Sequence, residues 1–257
     1  MRIAVCVKQV PADSAAVMDP QRGVLLRSAS QKKMNPYDGA ALAAARQIAD
    51  ALGAGLTAFS MGPPSAREVL TEAFAMGAQE AVLLCDPAFA GADVLATAHT
   101  LAQALTGFDC IVCGQQSTDG DTAQLPFSLA AQLDLPILGW VQRILEIDET
   151  SIRIEQEVTS GRQTVQAAFP LVLAVGKENF PPAQPSLQRR LWAQKQEIRT
   201  LTLADLADAD AANYGLSGSP TRVTRIYAEQ PSRRHPPLTL PAKEAAARIL
   251  AALEAAR

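Results

Sequence analysis

The feature that most constrains this chain is an alternation repeated over its first half. Short apolar runs at residues 3–7, 56–60, 81–85 and 110–113 are separated by stretches with helical patterning at 36–52, 65–75, 93–105 and roughly 121–133. The helical stretches carry start and stop signals: Pro36 suits a first helical position, Gly53-Ala54-Gly55 ends that helix, and Asp93 stands where an N-cap belongs. Strands separated by helices of this length predict βαβ crossovers, and so a parallel sheet covered by helices on both faces.

The pattern changes after residue 140. Residues 141–148, 151–158, 164–168 and 171–175 are four strand-like runs in tandem, and 151–156 alternates polar with apolar residues. Ser160-Gly161-Arg162 reads as a hairpin turn, so this region predicts an antiparallel extension at the edge of the parallel sheet. Beyond Gly176 the periodicity is lost. Residues 188–199 are basic, with Arg189, Arg190, Lys195 and Arg199 against Glu197; residues 203–212 read as a short Ala/Asp-rich helix, and 228–237 are polar. Residues 241–257 form a closing amphipathic helix with Ala245, Ile249, Ala252 and Leu253 on one face. The expected division is an α/β domain over 1–184 and an extended arm over 185–257, too poor in core residues to fold alone and suited to wrap a partner.

Composition removes several classes of function. A net charge of −3 over 257 residues does not suit a broad nucleic-acid footprint. No uncharged apolar run approaches the roughly 18 residues of a membrane span, so no membrane insertion is expected. The opening Met1-Arg2-Ile3-Ala4-Val5-Cys6-Val7-Lys8 is a strand ending in a charge rather than a signal peptide. Four cysteines without a secretion signal fit reduced thiols and a cytoplasmic protein.

The most informative segment is Cys113-Gly114-Gln115-Gln116-Ser117-Thr118-Asp119-Gly120-Asp121-Thr122-Ala123-Gln124, which leaves a buried strand and enters a helix. In a parallel sheet this is the carboxyl edge, where ligands collect. Free N–H groups at the helix start suit a phosphate, and the aspartates would cap or organise the loop. An ordinary polar loop remains the alternative. Lys8-Gln9-Val10-Pro11, Met34-Asn35-Pro36-Tyr37-Asp38 and Ser60-Met61-Gly62-Pro63 would lie at the same edge and could line a nucleotide cleft. There is no G-x-G-x-x-G and no G-x-x-x-x-G-K-[ST], which disfavours a dinucleotide dehydrogenase and a P-loop NTPase. Cys110 and Cys113, three apart on a strand, point to opposite faces and should be core residues. His99 and His235 have no partner pattern for a metal or a nucleophile. The missing catalytic constellation favours a binding or carrier protein over a hydrolase.

From Arg2 to about Val223 the chain resembles the beta subunit of electron transfer flavoprotein. The resemblance rests on residues 5–11, 33–38, 60–63 and above all 114–124, which matches the pattern Gly-x-Gln-x-x-Asp-x-Asp-x-x-Gln. It implies a Rossmann-like, adenine-nucleotide-binding α/β fold and a heterodimer with an alpha subunit that holds the redox FAD. The beta subunit of that family binds AMP or a second FAD. By resemblance the nucleotide contacts fall on Cys6, Asn35, Pro36, Tyr37, Asp38, Met61, Gly114 through Gln124, and Leu125.

Asp119-Gly120-Asp121-Thr122-Ala123-Gln124, residues 8–11, 23–27 and 218–223 resemble the two-FAD, electron-bifurcating members. Pro126-Phe127 departs from them, standing where they read Gly-Pro. Residues 185–195 fall where the family carries its recognition loop, with Leu187 as the docking anchor for a dehydrogenase. The departures around it suggest a partner other than the common acyl-CoA type. The expected function is therefore electron transfer from a flavin- or NADH-dependent dehydrogenase to an acceptor such as a quinone oxidoreductase or ferredoxin. NADH oxidation would follow only from a second FAD. The rival reading is a stand-alone, stress-type sensor of adenine nucleotides on the same fold. An adenylating enzyme would need a Gly-rich loop after the first strand, which Gln9-Val10-Pro11-Ala12-Asp13 lacks.

Overall fold

The computed structural model describes residues 1–12, 32–222 and 238–255. The motif at 23–27, the end of the 218–223 motif, the polar stretch 228–237 with His235, and the last two residues lie outside the described residues. The chain divides into two units, and the described part of the second is residues 238–255.

The expected alternation is present. The first strand β1 (Arg2–Cys6) leads to a short antiparallel ribbon of β2 (Gln9–Pro11) and β3 (Lys32–Met34), then to α1 (Pro36–Leu52). There follow β4 (Gly55–Met61), α2 (Arg67–Met76), β5 (Glu80–Leu84), α3 (Val94–Leu105), β6 (Cys110–Gly114) and α4 (Leu125–Leu133). Gly53, in the left-handed conformation, ends α1, and the Asp93 side chain caps α3 by accepting from the Ala96 N–H. Next come β7 (Ile137–Ile147), β8 (Ser151–Val158), β9 (Gly161–Ala168), β10 (Leu171–Val175), α5 (Leu187–Ala193), β11 (Arg199–Leu201) and α6 (Ala242–Ala255).

These strands form one nine-stranded sheet in the order β11-β5-β4-β1-β6-β10-β7-β8-β9. It is parallel from β11 through β7, and β8 and β9 add the antiparallel extension. The fourth tandem run, β10, does not belong to that extension. It enters the parallel body between β6 and β7, and all five of its residues are buried, as an interior strand requires. β8 and β9 keep the alternating, half-exposed pattern of an edge.

Two apolar layers hold the sheet. On one face α1 and α2 pack over Ile3, Val5, Leu56, Val112 and Leu173. On the other, α3 and α4 pack over Ala4, Phe59, Ile111 and Val172. Cys110 lies in the first layer and Cys113 in the second, as the strand alternation predicts, and all four cysteines are free.

Three further elements differ from expectation. The helix expected from about residue 121 begins at Leu125, because Asp121 (φ 50°) and Ala123 (φ 53°) break helical geometry. The helix expected at 203–212 is two separate 3₁₀ turns, Leu203–Asp205 and Ala211–Asn213. The side chains of Asp205 and Asp210 bond to nearby backbone N–H groups there, in competition with a continuous helix. The chain after residue 184 also returns to the sheet. β11 pairs with β5, and Trp192 packs edge-on to Phe74 at 6.1 Å.

Candidate functional site

The sheet order reverses direction at β1, whose two neighbours β4 and β6 lead in opposite directions, and the crevice beyond their carboxyl ends is the expected ligand position. Cys6 ends β1 between Phe59 and Cys113, and Met61 ends β4. Both border the apolar layer of the α3/α4 face. Gly114 ends β6, and the loop to α4 begins there.

The start of α1 closes onto that loop. Asn35 is buried; its Nδ2 donates to the Gln116 carbonyl at 2.8 Å, and its Oδ1 accepts from the Thr118 N–H at 3.3 Å. Gln116 Nε2 donates to the Tyr37 hydroxyl at 3.0 Å and to Asp121 at 2.8 Å. The Gln115 N–H bonds to the Val175 carbonyl, which ties the loop to the next strand. A Cβ at Gly114 would lie on the Asp38 carboxylate and 2.8 Å from the Tyr37 carbonyl carbon, so glycine is required by close approach. Gly120 is different. A Cβ there would meet only Ser117 Oγ at 3.5 Å, so the fold itself does not demand glycine.

Lys8, which belongs to the 5–11 motif but lies outside the contacts the resemblance implies, bridges the two halves. Its backbone N–H donates to Asp38 at 2.7 Å, and its Nζ bonds Asp119 at 2.8 Å. Burial pushes the Asp38 carboxyl up from 3.8 to about 7, against the hydrogen bonds from Asn35 and Lys8. Partial burial of Asp119 raises its pKa too, but the Lys8 bond and charge outweigh that and hold it below the ordinary value. Asp119 is thus engaged by a lysine rather than offered to a ligand.

The remaining loop fits an anion. Ala123, at φ 53°, is followed by Gln124 at φ −105° and ψ −21°, an alternation that turns successive N–H groups toward one side. α4 has no side-chain cap, so the N–H groups of Leu125 and Phe127 are offered from the same place, Pro126 between them having none. Thr118, Gly120, Asp121, Thr122 and Gln124 are exposed, while Ser117, Ala123 and Leu125 are half-buried. Ser60, buried at the end of β4, has no hydrogen-bond partner for its Oγ among the described residues.

These observations bring Cys6, residues 35–38, Met61 and 114–125 to one sheet edge. Leu187 stands apart, at the first turn of α5, and is 73% exposed. A cavity of about 400 Å³ is lined by Met34, Asn35, Pro36, Glu72, Lys177 and Arg190 and does not include the 114–125 loop. Cys110 and Cys113 are pushed up in pKa, Cys110 chiefly by burial and Cys113 by its hydrogen bond with Cys6, which marks them as inert thiols. His99 pairs with Asp208 at 3.0 Å and holds the 203–214 segment to α3. Among the described residues no cluster could hold a metal ion, and no helix is long and apolar enough to cross a membrane.

Comparison with known proteins gives a consistent result. The profile of the electron transfer flavoprotein domain matches residues 22–206. The chain is 39% identical to the electron transfer flavoprotein subunit beta of Clostridium acetobutylicum, covering 99% of this chain and 98% of that one. It is 35% identical to the protein FixA of Rhizobium meliloti over 100% of this chain and 92% of that one. It is 36% identical to CarD, a subunit of the caffeyl-CoA reductase-Etf complex of Acetobacterium woodii, over 88% of this chain and 87% of that one.

Proposed function

Because the chain belongs to the electron transfer flavoprotein family, on the beta-subunit side, we propose that it pairs with an alpha subunit and holds a second FAD at the carboxyl edge of β1, β4 and β6. The observation that carries this is the closure of α1 on the 114–125 loop through Asn35 and Gly114, which shapes a polar, anion-accepting edge over an apolar floor.

Each residue has a defined task. Cys6 and Met61 offer an apolar seat for an adenine ring. The N–H groups around Ala123 and at the start of α4 face the phosphates. Lys8 neutralises Asp119 beside them. Gly120 leaves room that the fold does not itself use. When bound, FAD supplies the electron-transfer chemistry, and the protein supplies binding, orientation and exclusion of water.

In this reading the complex works in the cytoplasm, takes electrons from a dehydrogenase docked at Leu187, and passes them to a second protein. A second FAD, if bound, would let the complex take both electrons of NADH and pass them singly to two acceptors. The relative CarD, named for a reductase complex, supports a partner outside simple shuttling.

The test is to purify the chain with its alpha subunit, denature the complex, and count FAD and AMP by chromatography. Two FAD and no AMP is the expected result. One FAD and one AMP would leave a simple carrier, and the absence of any flavin-bearing partner would return the stand-alone sensor reading.

A further inference from the structure

Backbone strain in the first unit is concentrated at one edge. Four non-glycine residues among those described have positive φ: Asp121, Ala123, Asp134 and Trp140. Asp134 simply ends α4 as its C-cap. Asp121 and Ala123 belong to the loop already described. Trp140, at φ 54°, has no such explanation, and a bulky residue in that conformation is an outlier that the surroundings must enforce.

Its position is defined by the sheet. Leu138 and Val141 both reach the α1/α2 layer, so Gly139 and Trp140 form a bulge between them, where the register with β10 shifts. The position needing positive φ is one that glycine fills best, and a glycine stands directly beside it. That glycine is held by another demand. A Cβ at Gly139 would meet the Phe127 ring at 2.9 Å, because the first turn of α4 lies on it. The result is two large aromatic side chains left 45% and 41% exposed, Trp140 and Phe127, at neighbouring points of the same edge.

The register sets their place relative to the nucleotide loop. Gly114 is level with Val175, and Val175 with Val141, the residue after Trp140. Along the carboxyl edge the order is thus Met61 on β4, Cys6 on β1, Gly114 on β6, the end of β10, then Trp140 on β7. Two strand spacings, roughly 10 Å, separate Gly114 from the bulge. A ligand with its adenine at Met61 and Cys6 and its phosphates on the loop would carry any further group along this line. A mononucleotide ends before the bulge and a dinucleotide reaches it.

We propose that Trp140 and Phe127 form the ring-binding end of this site, a platform for the second planar ring system of an adenine dinucleotide. The proposal rests on the nucleotide site argued above and adds two residues to it. Pro126-Phe127, the departure from the family pattern, then has a use: it places an aromatic ring on the bulge. The strained Trp140 backbone is retained because glycine there would supply no stacking surface.

The test uses the full-length chain titrated with AMP and with FAD by calorimetry, beside the variants Trp140→Gly and Phe127→Leu. Glycine suits positive φ, so Trp140→Gly should fold at least as well as the parent. Each variant should bind FAD about tenfold more weakly, the size of one aromatic stack, with AMP affinity unchanged within about twofold. In a Trp192→Phe background Trp140 is the sole tryptophan, and saturating FAD should quench its absorption-corrected emission by more than half while AMP leaves it unchanged. Unchanged FAD affinity in both variants, equal weakening of AMP and FAD, or unquenched emission would each overturn the proposal. A parent chain that binds AMP but not FAD overturns it and leaves a mononucleotide site standing. A parent that binds neither removes the nucleotide reading itself.

Discussion

α1 and α6 are written in nearly the same residues, yet only α1 buries a face within its own unit. α1 reads PYDGAALAAARQIADAL and α6 reads AKEAAARILAALEA, both rich in alanine with an apolar stripe at helical spacing. Nine residues of α1 are buried, from Asp38 to Ala49. None of α6 is, and Ile249, Leu250 and Leu253 are largely exposed. The small side chains of α1 let it lie close on β1 and β6, and its first turn reaches the 114–125 loop. The same pattern in α6 states only that a surface exists to be covered. An amphipathic stripe specifies a helix and a face; it does not name the partner of that face.

Several measurements would break or sharpen this contrast. The largest effect is expected from Ala44→Asp, which would bury an unpaired charge in the α1 interface and cost about 4 kcal/mol or more in urea unfolding. A loss below about 1 kcal/mol would show that α1 is not packed as described.

The next is a pH effect at the start of the same helix. Asp38 holds its proton to about 7 in the folded chain, whereas an unfolded Asp releases it near 3.8. Its contribution is therefore full below the lower value, falls as pH rises toward the upper one, and is flat beyond. Asp38→Asn should remove that slope, so the stability difference between the two proteins should change by up to about 4 kcal/mol across the window. Parallel pH profiles would count against a buried, protonated Asp38.

Gly114→Ala should cost about 2 kcal/mol through overpacking against Tyr37 and Asp38, and weaken AMP and FAD together. Gly120→Ala is its counterpart: stability within about 0.5 kcal/mol of the parent, with FAD binding selectively weakened. Equal behaviour of the two would remove the distinction between a glycine needed by the fold and one needed by a ligand.

The smallest stability effect belongs to α6. Leu250→Asp should leave the isolated chain within about 0.5 kcal/mol of the parent. It should instead lower recovery of the alpha subunit in co-purification. Unchanged recovery of the alpha subunit would remove α6 from that interface.

Much of the first unit was legible in the sequence because it rests on local signals. Pro36, Gly53 and Asp93 mark helix ends through their own backbone preferences, and the apolar runs of β1, β4, β5 and β6 have the continuous character of strands buried on both faces. The opposite faces of Cys110 and Cys113 followed from strand alternation alone. The residues of the 114–125 loop were legible as a motif, but its shape was not. Positive φ at Asp121 and Ala123 delays α4 to Leu125; Asp tolerates that conformation without requiring it, and Ala has no preference for it.

What the sequence determined, then, is the α/β alternation, the helix boundaries set by Pro, Gly and Asp, and the family pattern at the carboxyl edge. Tertiary structure alone decided that β10 enters the parallel body, that Lys8 ties Asp38 to Asp119, and that Trp140 is held in a strained bulge beside Phe127. The physical reason is range. Capping, turn formation and strand alternation act within a few residues and leave a local signature. The Lys8 bridge joins residues 111 apart in sequence, and the β10 insertion depends on which strand lies beside which. Such contacts arise only when the sheet brings distant segments to one edge, so no local stretch of sequence records them.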